Sequence, residues 1–193
     1  MKICRSLTTA IALILLSSAA ALRADTVSFS TTGSFDGAGN SIVFGTGLNT
    51  LTINFNGLAD TVNDDPFSFI SLGQFQTSVT GSGASITSGT TFTLDITQLQ
   101  PTAGSANMLG TLSGSISQNQ STGAVTFSLS SVTIGGETYS LINNNVPLVP
   151  PSNTGLTTLQ ATLSPVPEPT AASLLIFSIV LAVGMQHRLR RRS

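Results

Sequence analysis

The stretch Thr91-Phe92-Thr93-Leu94-Asp95-Ile96 decides how this chain folds. Side chains alternate along an extended backbone, so Phe92, Leu94 and Ile96 share one face while Thr93 and Asp95 take the other. Leu51-Thr52-Ile53-Asn54-Phe55 and Val125-Thr126-Phe127-Ser128-Leu129 repeat the pattern. Less regular stretches predict further strands over 27–30, 41–44, 67–75, 109–116 and 156–163. Ser and Thr fill the outward positions, where they favour extended backbone and stay soluble without charge.

The breaks between these stretches carry turn chemistry. Gly135-Gly136 separates strands predicted over 132–134 and 138–142, and paired glycines accept the positive φ of a two-residue hairpin. Gly37-Ala38-Gly39-Asn40 and Gly81-Ser82-Gly83 are turn material, and 118–123 is a polar loop. Asn143-Asn144-Asn145 with Pro147, Pro150 and Pro151 is expected to interrupt the sheet before the last strand. No helical apolar period of ten residues occurs between the two ends of the chain. The pattern predicts an all-β protein whose ectodomain, residues 25–164, is an antiparallel β-sandwich. Its phenylalanines alternate in strands and are expected in the core. Its edges carry little charge and are expected to need a loop or bulge as cover.

The charges are segregated. All seven Lys and Arg residues are terminal: Lys2, Arg5, Arg23, Arg188, Arg190, Arg191 and Arg192. All eight acids lie between them, from Asp25 to Glu168, so residues 25–169 carry −8. Such a domain repels phosphate backbones and anionic lipid, which excludes nucleic acid as a partner. The single cysteine, Cys4, falls in the leader described next, so the domain has no thiol to crosslink.

Residues 1–24 read as a signal peptide. Lys2 and Arg5 give the positive start, residues 7–16 the short apolar run, and Ser17-Ser18-Ala19-Ala20-Ala21 the small residues before cleavage. Cleavage fits after Ala21, with Ala19 three residues before the cut, or after Ala24, with Leu22 there. Residues 165–193 form the other tail. Pro167-Glu168-Pro169 precedes an uncharged apolar stretch, 171–185, predicted as a transmembrane helix, and then His187-Arg188-Leu189-Arg190-Arg191-Arg192. At about 1.5 Å per residue that helix reaches roughly 22 Å, short of a hydrocarbon core of about 30 Å. Thr170 can cap it. The Arg tail at 187–192 stays cytoplasmic, and the signal peptide sends the middle domain to the other side.

This arrangement of Pro167, Glu168, Pro169, apolar helix and Arg188, Arg190, Arg191 and Arg192 resembles the PEP-CTERM sorting signal. The resemblance covers about 166–193. It implies transient recognition by exosortase, a multi-pass membrane transpeptidase with a cysteine nucleophile that cuts near the motif. It implies an inner-membrane intermediate, then release or transfer to the cell surface or extracellular matrix of a Gram-negative-type bacterium, often one that makes exopolysaccharide. The stretch 67–163, through Thr91-Phe92-Thr93-Leu94 and Val132-Thr133-Ile134-Gly135-Gly136-Glu137-Thr138-Tyr139, also resembles the choice-of-anchor domains of such proteins, a likeness that implies no activity.

Between Asp25 and Pro169 there is no His, Cys, Lys or Arg. That removes nucleophile–base pairs, Schiff-base lysine, nitrogen- or sulfur-ligated zinc and arginine clamps. Carboxylate chemistry remains. A glycosidase needs two acids at a set separation, and Asp60, Asp64 and Asp65 are the one cluster. Glycan sites also stack aromatics on sugar rings, and this chain has no Trp and one Tyr, Tyr139. Asp60, Asn63, Asp64 and Asp65 offer oxygen donors to calcium without the spacing of an EF-hand, and a solvated turn ending before a strand accounts for them equally. Asp36 and Asn40 flank a second such loop. No other cofactor is implied. The expected function is a non-enzymatic exported surface or matrix protein. The alternatives are a carbohydrate-binding module and, further off, a carboxylate glycosidase.

Overall fold

The computed structural model describes residues 26–63 and 67–166. Ten strands build most of the two sheets: β1 (Thr26–Phe35), β2 (Ser41–Thr46), β3 (Asn49–Asn56), β4 (Ala59–Asn63), β5 (Ser68–Thr80), β7 (Thr91–Gln100), β8 (Gly104–Ser113), β10 (Ala124–Phe127), β12 (Glu137–Leu141) and β14 (Leu156–Pro165). Short strands β11 (Ser131–Ile134) and β13 (Asn145–Pro147) complete them, and β6 (Ala84–Ser85) pairs with β9 (Ser115–Ile116) as a separate ribbon. The first sheet runs β13-β10-β8-β7-β1-β4 and the second β11-β12-β14-β5-β3-β2. Every pairing is antiparallel, and the inner faces share one buried cluster, the arrangement of a β-sandwich.

Alternation built these strands as expected. Phe92, Leu94 and Ile96 are fully buried on β7, and Leu51, Ile53 and Phe55 are buried on β3. Phe92 is the hub of the core. Its ring centre lies 4.9 Å from those of Phe55 and Phe75, 5.1 Å from Phe35 and 6.2 Å from Phe127. Burying each such side chain stabilises by roughly 1.5–3 kcal/mol. Gly33 on β1 makes room for these rings, since a Cβ there would stand 2.5 Å from Phe55 and 2.6 Å from Phe92. The buried Thr31 hydroxyl of β1 donates to the Leu72 carbonyl of β5 at 2.8 Å and ties the sheets together.

One turn forms as expected, and several other expectations change. The Gly135-Gly136 hairpin forms, with Ile134 paired to Glu137 and both glycines at positive φ. Residues 143–147 do not merely interrupt the sheet, because Asn145–Pro147 crosses over as β13 and pairs with β10. Leu129 falls beyond the end of β10 and is exposed, so its apparent alternation with Phe127 is not a burial pattern. The edges are not covered by bulges. They are kept short, at three residues in β13, four in β11, five in β4 and six in β2, which limits the unpaired backbone on offer.

Bulges occur inside the sheets instead. On β5, Leu72 and Gly73 together oppose the single residue Leu159 of β14, because Ser71 pairs with Gln160 and Gln74 with Thr158. Gly73 holds φ +121°, and a Cβ there would lie 2.6 Å from Phe55 and 2.7 Å from the Asn56 carbonyl oxygen. The extra residue reverses the alternation, so Ile70 and Leu72 point inward before it and Phe75 points inward after it. Phe67 and Phe69 are thereby turned outward, against the expectation that they join the core. On β7, Leu99 is skipped between Gln98 and Gln100 in the pairing with β1, and it too is exposed.

Among the described residues no helix is long and apolar enough to cross a membrane. The signal peptide at 1–24, the apolar stretch at 171–185 and the Arg tail lie outside the described residues.

Candidate functional site

The outer face of the second sheet carries the most distinctive surface. Phe67 and Phe69 are 51% and 71% exposed and pack edge to face, with ring centres 5.6 Å apart. Thr162 of β14 stands opposite Phe69, and Gln160 opposite Ser71. Ile142, just past β12, donates its backbone N–H to the Gln160 carbonyl at 3.1 Å. Phe69, Ser71, Ile142 and Gln160 line a groove of about 390 Å³. A second hollow of about 280 Å³ shares Ile142 and Gln160 and adds Asn143, Thr157 and Thr158. The second hollow also takes in Val146 and Pro147 of β13, in the first sheet, and neither hollow has a charged side chain in its lining. Such a surface can stack on a ligand and exchange hydrogen bonds through amides and hydroxyls. It presents no nucleophile–base pair.

Tyr139 lies elsewhere. It is fully buried on β12, edge-on to Phe29 at 5.7 Å between ring centres. Its phenol donates to the Gln98 side-chain carbonyl at 2.8 Å, and the Gln98 amide donates to the Thr102 carbonyl at 3.0 Å. Burial pushes the phenol well above its usual range, and the Glu137 carboxylate two residues before it adds to the rise. The one tyrosine is therefore a core residue and no platform for a sugar ring.

The carboxylates that are described stand apart. Asp36, at φ +47°, closes the turn after β1, where its carboxylate accepts the Thr91 backbone N–H at 2.7 Å and the Thr91 hydroxyl at 3.0 Å. Asp95 is exposed in the middle of β7, and Glu137 is buried at the start of β12. Asp60 sits on the edge strand β4 and accepts the Thr61 N–H at 2.8 Å. Asn63 is three residues on, which places it on the opposite face of the same strand, and its side-chain oxygen accepts the Thr26 hydroxyl at 3.4 Å. Asn40 donates to the Phe55 carbonyl at 3.3 Å. Asp36 and Asn40 thus serve the fold. Among the described residues no three acidic, His or Cys side chains gather as metal ligands do. Asp64 and Asp65, the rest of the proposed calcium loop, lie outside the described residues, as do Pro167, Glu168 and Pro169 of the sorting motif and Arg188, Arg190, Arg191 and Arg192.

The approach to that motif is described. β14 pairs with β12 up to its last residue, Glu137 opposite Pro165, and Val166 donates its N–H to the Gly136 carbonyl at 2.7 Å. The folded strand runs to within two residues of Pro167. Sequence reasoning missed the exposed Phe67–Phe69 pair, and the signal that could have found it is Gly73, a glycine inside an otherwise alternating run. Comparison with known protein families, with curated proteins and with solved structures finds no match to this chain.

Proposed function

We propose that this chain is a non-enzymatic exported protein of the bacterial surface or extracellular matrix, carried out by residues 1–24 and sorted through Pro167-Glu168-Pro169 by exosortase. The observation that carries the reading is the order of parts in the tail. Two prolines around a glutamate, an uncharged apolar run and four arginines follow directly on a strand that is hydrogen-bonded to its last residue. A processing enzyme would meet the motif beside the folded domain and leave every strand intact. The lack of His, Cys, Lys and Arg between Asp25 and Pro169, and the dispersal of Asp36, Asp60, Asp95 and Glu137 over separate elements, support a role without catalysis. The test is fractionation of a protein tagged inside the domain. Loss of the Arg tail from the surface-associated species supports processing, and mature protein that keeps the tail throughout overturns it.

The second reading is a carbohydrate-binding module. Burial of Tyr139 moves its support to the uncharged hollow around Ile142, Asn143 and Gln160. Binding on a glycan array that is lost in Gln160→Ala would favour it.

A further inference from the structure

We propose that the pole of the sandwich from which the chain leaves at Val166 rests against the surface of a zwitterionic bilayer while the tail remains attached, with Phe67 and Phe69 entering the interfacial layer. This rests on the reading of residues 171–185 as a membrane-inserted stretch.

Several strand ends meet at this pole. Thr26, at the start of β1, pairs with Asn63, at the end of β4. The Ser68 hydroxyl donates to the Asn63 carbonyl, and Ser68 pairs with Leu163. Val166 is bonded to the Gly135-Gly136 turn. Around these ends several apolar side chains are exposed. Besides the Phe67–Phe69 pair, Leu99 is 59% exposed next to Gln100, which pairs with Ser28, and Val166 is 40% exposed. The register places Val166 on the same outer face as Thr162 and Phe69.

Chain length then limits how far this pole can stand off. Four residues separate Val166 from Ala171. Five Cα steps of at most ~3.6 Å hold Val166 within roughly 18 Å of the apolar run. The polar layer of each leaflet is roughly 5–8 Å thick, so the exposed phenylalanines are tethered where they can reach it. Charge selects the lipid. A domain with eight acids and no Lys or Arg from Asp25 to Glu168 gains nothing from anionic headgroups, so the contact is apolar insertion among neutral ones. The opposite pole has Leu48, 84% exposed in the turn between β2 and β3, but a single apolar side chain of this kind is ordinary on a soluble surface.

The experiment uses the full chain with Cys4→Ser, reconstituted from detergent into phosphatidylcholine vesicles with brominated acyl chains. One cysteine is introduced, either Ser164→Cys at the exit pole or Leu48→Cys at the far pole, and labelled with a nitrobenzoxadiazole dye. Quenching several-fold stronger at 164 than at 48, falling to the level at 48 in a Phe67→Ser/Phe69→Ser background, is the expected result. Both phenylalanines are exposed, so an unchanged melting temperature checks that the double variant folds. A chain that floats with the vesicles but is quenched equally at the two positions overturns this inference and leaves the inserted tail standing. A chain that does not float overturns both. Quenching at 164 that survives the double substitution removes the phenylalanines from the contact. If 164 is unquenched while the double variant loses binding to a neutral polysaccharide without vesicles, the pair serves a glycan and the inference fails.

Discussion

The phenol of Tyr139 on β12 donates to the Gln98 side-chain carbonyl on β7 at 2.8 Å, which joins the two sheets through the interior. Tyr139→Phe keeps the ring against Phe29 but leaves the Gln98 oxygen buried without its donor. A loss of about 1–3 kcal/mol is expected in urea unfolding, with no change in the m-value. The bond also imposes a pH dependence. The folded phenol holds its proton to higher pH than the unfolded one, whose ordinary value is 10.0. Stability from this group is therefore complete below about pH 10 and is lost as pH rises beyond it. Melting curves between pH 8 and pH 11 should show that decline in the parent and a shallower one in Tyr139→Phe.

Gly73 sets which way half of β5 faces. Its φ of +121° and its contacts with Phe55 and the Asn56 carbonyl leave no room for a side chain. Gly73→Ala should destabilise by about 2 kcal/mol or more, as strain and overpacking add. The measurement is thermal unfolding beside Gly89→Ala, where a Cβ would meet open space and only the backbone at φ +87° is strained. An equal loss at the two positions would show that the close contacts of Gly73 cost nothing.

Two phenylalanines on neighbouring stretches should behave in opposite ways. Phe92→Ala removes the hub that four other rings pack on and should cost about 3–5 kcal/mol. Phe69→Ser, on the outer face, should change stability by no more than about 0.5 kcal/mol. Chemical denaturation of both variants checks which of the two rings faces the interior.

Asp36 holds the first turn to the start of β7 by two hydrogen bonds from Thr91. Asp36→Ala should cost about 1–2 kcal/mol, while Asp36→Asn, which keeps an acceptor and tolerates positive φ, should lose less than half of that. Equal losses in the two variants would mean the side-chain oxygen is not what holds the turn.

Strict alternation made β3 and β7 legible from the residues alone, because a half-buried strand must repeat every second position. Gly135-Gly136 gave the hairpin for an equally local reason, since few other residues accept two successive positive φ angles. Phe67 and Phe69 were misread for a reason that is not local. Up to Gly73 they keep step with Phe75, and only the extra residue opposite Leu159 of β14 puts them on the other face. The burial of Tyr139 was not legible either, because its hydroxyl needs a buried partner and Gln98, which supplies it, is 41 residues away in the chain. The groove between Phe69, Ser71 and Gln160 arises from the register between β5 and β14, which no single stretch encodes.

The strand that leads to the tail is not an edge. β14 is flanked on one side by β12, from Glu137 to Leu141, and on the other by β5, from Ser68 to Gln76. A pull on Val166 along the strand axis would load both ladders in shear, so many hydrogen bonds would have to fail together instead of one after another. A load applied where the chain leaves the domain would therefore be met by a strand held on both sides, not peeled from a rim.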